Sequence, residues 1–406
     1  MKFGGSSVAD ADKIKNVARR IVAMRESGRR VVGTVSAMGK TTDGLIELAK
    51  QVSETPVGRE MDMLLSTGER ISCALVAMAI HDLGYEAVSL TGSQAGIETD
   101  SAHTKAKITK IRADRVVKAL DGGKIVLVAG FQGVSPETMD VTTLGRGGSD
   151  ATAVALAAAL GAVCEIYSDV AGVYTADPRI VPNARKQSRI SYDEMLEMSA
   201  SGAKVLMLRS VELARNHGVR VHARSTFSDE EGTWIGEEGM EQAIISGVTH
   251  NETEVVFTLT GIPDVPGAAA TVFDAVARNS VNVDTILQNV VHGIAELSFT
   301  VPTVDVAGAR IAIAEATRQL GSMNVDEDHD LGKVSLIGAG MRSHPGVAAK
   351  MFRTLADLGI NLRMIATSPI KISCMISKNE IPTAVQALHD AFELEKEPVE
   401  EEAVRA

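Results

Sequence analysis

Gly145-Arg146-Gly147-Gly148-Ser149-Asp150 opens directly onto Ala151 to Leu160, a run of alanines and leucines with no Gly or Pro. Glycines lack a Cβ and accept positive φ, so backbone N–H groups can close on an anion that bulkier residues would hold away. The run predicts a helix, with Ser149 or Asp150 capping its start and its positive end aimed at the turn. The stretch fits a phosphate or carboxylate site, and fits equally an ordinary capped helix after a loop. A second turn, Gly4-Gly5-Ser6-Ser7, leads into Ile14, Val17, Ala18, Ile21 and Val22 at helical spacing. A third, Ala37 to Thr42, follows the strand candidate Val31 to Ser36. Beside these turns stand the cations Lys2, Arg146 and Lys204 and the carboxylates Asp150 and Asp169. Such a set suits phosphoryl transfer, where catalysis is mostly positioning and charge stabilisation. Glu69, in Ser66-Thr67-Gly68-Glu69-Arg70, is expected in the first turn of a helix through Leu75 and Met78, where a carboxylate can also simply offset the dipole.

The positioning elements follow from the pattern of the chain. Ala87 to Leu90, Lys124 to Phe131 and Val163 to Val170 read as strands, the second apolar enough to be covered on both faces. Alternation with helices predicts a layered α/β/α fold with a mostly parallel sheet, whose ligands collect at the carboxyl ends of the strands, where the three glycine turns are expected. Tyr174 to Arg179 is a polar loop, Lys204 sits where a loop hands over to a helix, and Val219 to Thr226 and Thr233 to Ile235 close the layer. After the charged segment 228–239 the character changes. Pro266-Gly267 and Pro345-Gly346 stand 79 residues apart, and the same offset relates Ala269 to Ala348, Phe273 to Phe352, Asn282 to Asn361 and Ile286 to Ile365. That internal repeat predicts two modules of strand, PG turn, helix, Asn turn and strand, able to form equivalent clefts where they pair. The expected boundaries are a first domain over 1–235, a linker and strand over 236–250, modules over 251–328 and 329–394, and an acidic disordered tail over 395–406. A strand from Ala243 to Val248 precedes the first module, which is expected as an insertion into the second.

A net charge of −11 without a basic block argues against nucleic acid or an anionic membrane as partner. The start, MKFGGSSV, has no signal-peptide h-region, and Cys73, Cys164 and Cys374 are far apart in apolar settings, so reduced thiols in a cytoplasmic protein are expected. No Cys or His pair has zinc spacing, and no protein metal site is predicted. GxxxxGK[ST], HRD with DFG, GxSxG and HExxH are missing; Gly338-Ala339-Gly340 lacks the third glycine of a dinucleotide site.

KFGGSSV, VSAMGKTTD, LLSTGERIS, TLGRGGSDATA, YSDVAGVYTADPRI and GAKVLMLRSVELA resemble the successive motifs of the aspartate kinases, within the amino acid kinase family. The duplicated module resembles their tandem, ferredoxin-like ACT domains, so the resemblance covers nearly the whole chain. It implies ATP-dependent phosphorylation of the L-aspartate β-carboxylate to 4-phospho-L-aspartate, the entry step to lysine, threonine and methionine, with magnesium arriving on the nucleotide. By motif, Lys2 is similar to the lysine on the transferring phosphoryl, and Asp150 to the aspartate that holds it. Gly4, Gly5, Ser6, Ser36, Ser149, Asp169, Val170, Tyr174, Thr175, Asp177, Pro178, Arg179, Lys204 and Val205 resemble the nucleotide site. Thr42, Glu69, Arg146, Gly147, Gly148 and Ser149 resemble the amino-acid pocket, with Glu69 on the α-ammonium and Arg146 on the α-carboxylate. Asp264, Gly267, Ala269, Asn282, Asp284 and Gln288 resemble a first effector cleft, and Val347, Ala348, Asn361 and Ser368 a second. The resemblance also implies feedback inhibition by threonine, lysine or both, and a homo-oligomer joined through the ACT domains, with a shorter regulatory subunit as a further partner.

Three positions depart from the family pattern. Met1 stands directly before Lys2, so a strand that precedes the motif in the family is expected to be lost. Ala171 replaces a frequent Asp, and Pro369 stands where Glu is common, which is expected to alter the second cleft. The alternative function is an effector-binding regulatory subunit with a degenerate kinase domain. A kinase acting on glutamate or acetylglutamate is disfavoured by the tandem repeat and the TGERIS motif.

Overall fold

The computed structural model describes residues 1–237, 244–321 and 323–397. Part of the expected linker and most of the acidic tail, 238–243 and 398–406, lie outside the described residues, as does the expected start of the strand at Ala243. The chain forms two compact units, Met1–Tyr174 with Arg185–Gln242, and Thr175–Ala184 with the chain from Ala243 onward.

The first unit is built on an eight-stranded sheet in the order Arg189–Ser191, Thr233–Gly236, Val221–Ser225, Cys164–Ser168, Lys2–Phe3, Val32–Val35, Ile125–Ala129, Ala87–Leu90. Every pairing is parallel except that of Val221–Ser225 with Thr233–Gly236. All five residues of Ile125–Ala129 are buried, as a strand covered on both faces requires. One layer, Ala11–Glu26 and Gly58–Asp82, covers Phe3, Val35, Leu127 and Tyr167 with Ile14, Val17, Ile21, Val76 and Ile80. Helix Gly148–Leu160 also packs against this sheet. A smaller sheet runs in the order Ile108–Ile111, Ile97–Thr99, Gln132–Val134, Val141–Thr143. Gly58–Asp82 is long and apolar enough to cross a membrane, yet half of its most apolar stretch is buried in the fold and it buries Asp62 and Glu69.

Four expectations need correction. The strand expected to be lost is present: Lys2–Phe3, two residues long, pairs in parallel with both Val32–Val35 and Cys164–Ser168 at the centre of the sheet. The Met1 ammonium beside it donates to the Val32 carbonyl at 2.8 Å, and burial lowers its pKa. Glu69 is not in a first turn, because its helix begins eleven residues earlier at Gly58 and runs through Gly68, whose missing Cβ lets Ala37 approach. Neither Ser149 nor Asp150 caps its helix; Gly147 does, at φ 69°, and both lie inside the first turn. Gly145 to Gly148 follows Val141–Thr143 of the smaller sheet rather than a main-sheet strand.

The second unit holds two four-stranded antiparallel sheets, each with two helices. Ile286–Val291, Ile294–Pro302, Glu254–Pro263 and Asn324–Asp328 pack on Ala268–Arg278 and Val306–Leu320 around Phe257, Phe299, Val272 and Ile313. Gly247–Asn251, Leu331–Ile337, Lys371–Ser377 and Met364–Ser368 pack on Val347–Asp357 and Ile381–Ala391 around Val334, Ile376, Met351 and Leu388. Gly247–Asn251 precedes one module in sequence and pairs with Leu331–Ile337 of the other, so the first is inserted within the second. The repeat reaches the backbone: Gly267 and Gly346 start equivalent helices at φ 98° and 101°. Thr175–Ala184, expected within 1–235, belongs to this unit, because Ala176 and Val181 enter its core and Thr175 accepts from Val248 N–H at 2.7 Å.

Candidate active site

The short central strand points Phe3 into the helix layer and leaves Lys2 on the opposite face, by the alternation of side chains along a strand. There its ammonium meets Asp150 at 2.5 Å, in the first turn of Gly148–Leu160, with both side chains almost buried. An acidic first-turn residue is favoured by the helix dipole, and here it also fixes the lysine. Gly4 follows at once, its N–H on the Tyr167 carbonyl, and a Cβ at Gly4 would lie 3.5 Å from the Lys2 ammonium. Gly5 and Gly39 join their turns through the bond from Gly39 N–H to Gly5 O, and a Cβ on Gly5 would come within 2.9 Å of the Ala37 carbonyl. Two glycine turns at neighbouring strand ends therefore close on each other beside the lysine.

Glu69 joins the same cluster. One carboxylate oxygen accepts from Ala37 N–H at 3.2 Å; the other has no hydrogen-bond partner among the described residues. Only 3% exposed, the carboxyl is pushed by burial up to about 7, against which the Ala37 bond works. Ser36, between strand and turn, donates its N–H to Phe3 O and accepts from Ser72 Oγ. Thr42 is half-buried in the first turn of Thr41–Val52.

The Arg146 turn reaches this place through small residues. A Cβ on Gly130, just beyond the main-sheet strand Ile125–Ala129, would stand 2.8 Å from Ser149 Oγ, so the turn lies against the end of that strand. Arg146 itself is exposed, between Gly145 and Gly147 at φ 75° and 69°. Gly147 is packed by Met207, whose Cγ would be 2.1 Å from a Cβ there, so the loop carrying exposed Lys204 and half-buried Val205 abuts the same turn. Lys2, Arg146 and Lys204 are thus tied to one helix N-terminus, by an ion pair, by sequence and by Met207 respectively.

The remaining expected residues lie on other segments of the chain. Asp169 is exposed and Val170 half-buried after Cys164–Ser168, with Val170 N–H on Ser168 Oγ, and Tyr174 pairs with Lys186 in an isolated bridge. Thr175, Asp177, Pro178 and Arg179 belong to the second unit; Arg179 donates to Asp177 and lowers its pKa. Of the effector candidates, Asp264, Gly267, Asn282, Asp284, Gln288 and Asn361 are exposed, while Ala269, Val347, Ala348 and Ser368 are half-buried. Asp284 and Glu254 both pair with Lys333, a buried lysine between the two sheets of that unit. Glu254 and Lys333 are themselves related by the repeat offset of 79.

Sequence reasoning missed Asp62 and Arg209. Asp62, two helical turns before Glu69 and on the same face, is fully buried with bonds from Thr143, His103 and Thr104. Arg209 donates to the carbonyls of Leu144 and Ala106. The seven-residue spacing of Asp62 and Glu69 was the available signal. No group of three or more His, Cys, Asp or Glu side chains is placed to hold a metal among the described residues.

Buried cation, unshared carboxylate and glycine turns over a helix N-terminus form a site for an anion and an ammonium together. The chain is similar to known proteins along nearly its whole length. Residues 1–225 match the amino acid kinase family and 334–392 the ACT domain. The aspartokinase of Mycolicibacterium smegmatis is 56% identical over 401 residues, covering 97% of this chain and 95% of that protein. A crystal structure of aspartate kinase from Synechocystis is 42% identical, covers 98% of this chain and 70% of that one, and superposes with a TM-score of 0.54. E. coli aspartokinase III, solved with aspartate and ADP, shares the fold at a TM-score of 0.83 and 24% identity, covering 96% of this chain and 98% of that one. The chain belongs to the aspartokinases, an amino acid kinase domain joined to an ACT region.

Proposed function

We propose that the β-carboxylate of L-aspartate attacks the γ-phosphorus of ATP in this site, forming a C–O–P bond as the P–O bond to ADP breaks, to give 4-phospho-L-aspartate. A side-chain carboxylate with pKa near ~3.9 is already ionised at neutral pH, so the reaction needs no general base. What opposes it is repulsion between two anions, and preorganised cations and N–H groups in a dry site are the remedy. Lys2, held by Asp150, stabilises the transferring phosphoryl. The N–H groups of Gly4, Gly5 and Ser6, with Ser36, Ser149 and Lys204, surround the phosphates, while Asp169, Val170 and Tyr174 border the nucleoside. Thr175, Asp177, Pro178, Arg179 and Val205 keep the nucleotide-side role that their motifs suggest. Magnesium would travel on phosphate oxygens with few protein ligands.

The observation that carries the reading is the buried oxygen of Glu69 that has no donor among the described residues, a partner for the α-ammonium of an amino acid. Arg146 takes the α-carboxylate in bidentate fashion, with Gly147, Gly148 and Thr42 lining the pocket. The test is aspartyl hydroxamate formation from ATP, aspartate and hydroxylamine in Arg146→Ala. A large rise in KM for aspartate with the fold intact supports the assignment; unchanged kinetics refute it.

The ACT region is the proposed site of feedback by threonine or lysine, at Asp264, Gly267, Ala269, Asn282, Asp284 and Gln288 and at Val347, Ala348, Asn361 and Ser368. It is also the proposed homo-oligomer surface. All six residues of the edge strand Ile286–Val291 are exposed, Ile286 and Val291 by half or more, and a bare apolar edge favours pairing with another copy. A cytoplasmic setting suits the three buried, unpaired cysteines.

A further inference from the structure

Asp62 has no exposed surface, and three donors make four hydrogen bonds to its carboxylate. Thr143 Oγ1 donates at 2.5 Å, His103 Nδ1 at 2.7 Å, and the Thr104 N–H at 3.1 Å to both oxygens. These donors come from the two segments that flank the Arg146 turn. Thr143 ends the strand Val141–Thr143, two residues before Gly145. Thr104, at a φ of 65° unusual for a non-glycine residue, has its carbonyl 3.1 Å from where a Cβ of Gly145 would stand. Ala106 N–H on Thr143 O ties the segments to each other, and Arg209 bridges the Leu144 and Ala106 carbonyls from a second helix, Leu208–His217.

We propose that Asp62 is a positioning residue for the amino-acid substrate: from the helix that carries Glu69 it fixes the Arg146 turn, and so sets the distance between the groups that grip the two ends of an α-amino acid. The inference rests on the reading of Arg146 as the carboxylate ligand. A rigid helix is a good ruler for this purpose, because Asp62 and Glu69 lie on one face about two turns apart. A buried carboxylate that accepts all its bonds from the turn's flanks cannot move without leaving those donors unpaired.

The test is steady-state kinetics of the full-length enzyme with Asp62→Asn, Thr143→Val, Thr143→Ser, Arg146→Ala and Asp62→Asn/Arg146→Ala. Asn presents an amide donor to Thr143 or Thr104, and Val removes one hydroxyl at constant shape. Both single variants are expected to raise KM for aspartate about tenfold or more, with kcat and KM for ATP within about threefold, while Thr143→Ser retains parental KM. In the Arg146→Ala background Asp62→Asn should add almost nothing, since it acts through that side chain, whereas a general packing defect would add in full. An unchanged KM for aspartate in Thr143→Val, equal losses in kcat and both KM values, or full additivity with Arg146→Ala would each overturn the proposal. Should Asp62→Asn fail to fold, Thr143→Val and its Ser counterpart decide. If Arg146→Ala itself leaves KM for aspartate untouched, the substrate reading fails instead, and the two failures are told apart.

Discussion

Glu69→Gln probes the site through its protons. Burial raises the Glu69 carboxyl from 4.5 to about 7, which corresponds to about 3 kcal/mol against the ionised form in the ligand-free fold. Because the folded pKa lies above the unfolded one, the native chain holds an extra proton between these values. Stability therefore declines as pH rises from about 4.5 to about 7 and stays lower above that. Gln keeps the acceptor for Ala37 N–H and carries no charge. Its variant should match the parent near pH 4.5 and exceed it by up to about 3 kcal/mol above pH 7 in urea unfolding. Substrate binding runs the other way, since the α-ammonium of aspartate needs the carboxylate. KM for aspartate should fall about tenfold per pH unit on approaching pH 7 from below and level off above it, with a proton released on binding. In Glu69→Gln that slope should vanish and KM stay high. The assay is coupled ADP release with aspartate varied across the range. A slope that survives in the variant, or a variant less stable than the parent at alkaline pH, would refute the assignment of Glu69.

Three further outcomes follow from the geometry. Lys2→Ala, which removes the cation beside Asp150, should lower kcat by about a hundredfold or more in the hydroxamate assay, and a loss under tenfold would deny Lys2 a role in transfer. Gly147→Ala places a Cβ in the left-handed region against Met207, and should cost about 1–2 kcal/mol in denaturant unfolding together with weaker aspartate binding; an unchanged midpoint would contradict it. Lys333→Met leaves Glu254 buried without a cation and should cost about 3–5 kcal/mol, most of it recovered in Lys333→Met/Glu254→Leu, as read by calorimetry.

The parts of the molecule that depend on local composition were legible in the sequence. Gly145 to Leu160 declared a turn and a helix, because glycine and alanine have strong and opposite backbone preferences. The 79-residue repeat announced two like modules down to the paired glycines Gly267 and Gly346. Parts that depend on distant partners were not. Ser66-Thr67-Gly68-Glu69 imitates a helix start, yet the helix runs straight through it because Gly68 is needed for the approach of Ala37, thirty-one residues away in sequence. The seven-residue spacing to Glu69 marked Asp62 only as sharing a helix face, and nothing local announced its partners, 41 to 81 residues distant. The loop after Tyr174 gave no sign that Ala176 and Val181 would be claimed by a core formed from Ile245 onward. Motif resemblance supplied Lys2 and Asp150 as a pair, and only coordinates could supply the contact between them.

The inserted module carries a consequence for how such chains are assembled and recombined. Asn251 and Lys333 are direct partners across the Gly247–Asn251 and Leu331–Ile337 pair, so the insertion departs and returns at neighbouring points of one sheet. Excising it would need only a tight hairpin to rejoin the chain, whereas translation must release the whole insert before the surrounding sheet can close. The excised chain would still inherit Lys333 stripped of Glu254 and Asp284, so a surviving single-module descendant should carry an apolar residue at that point.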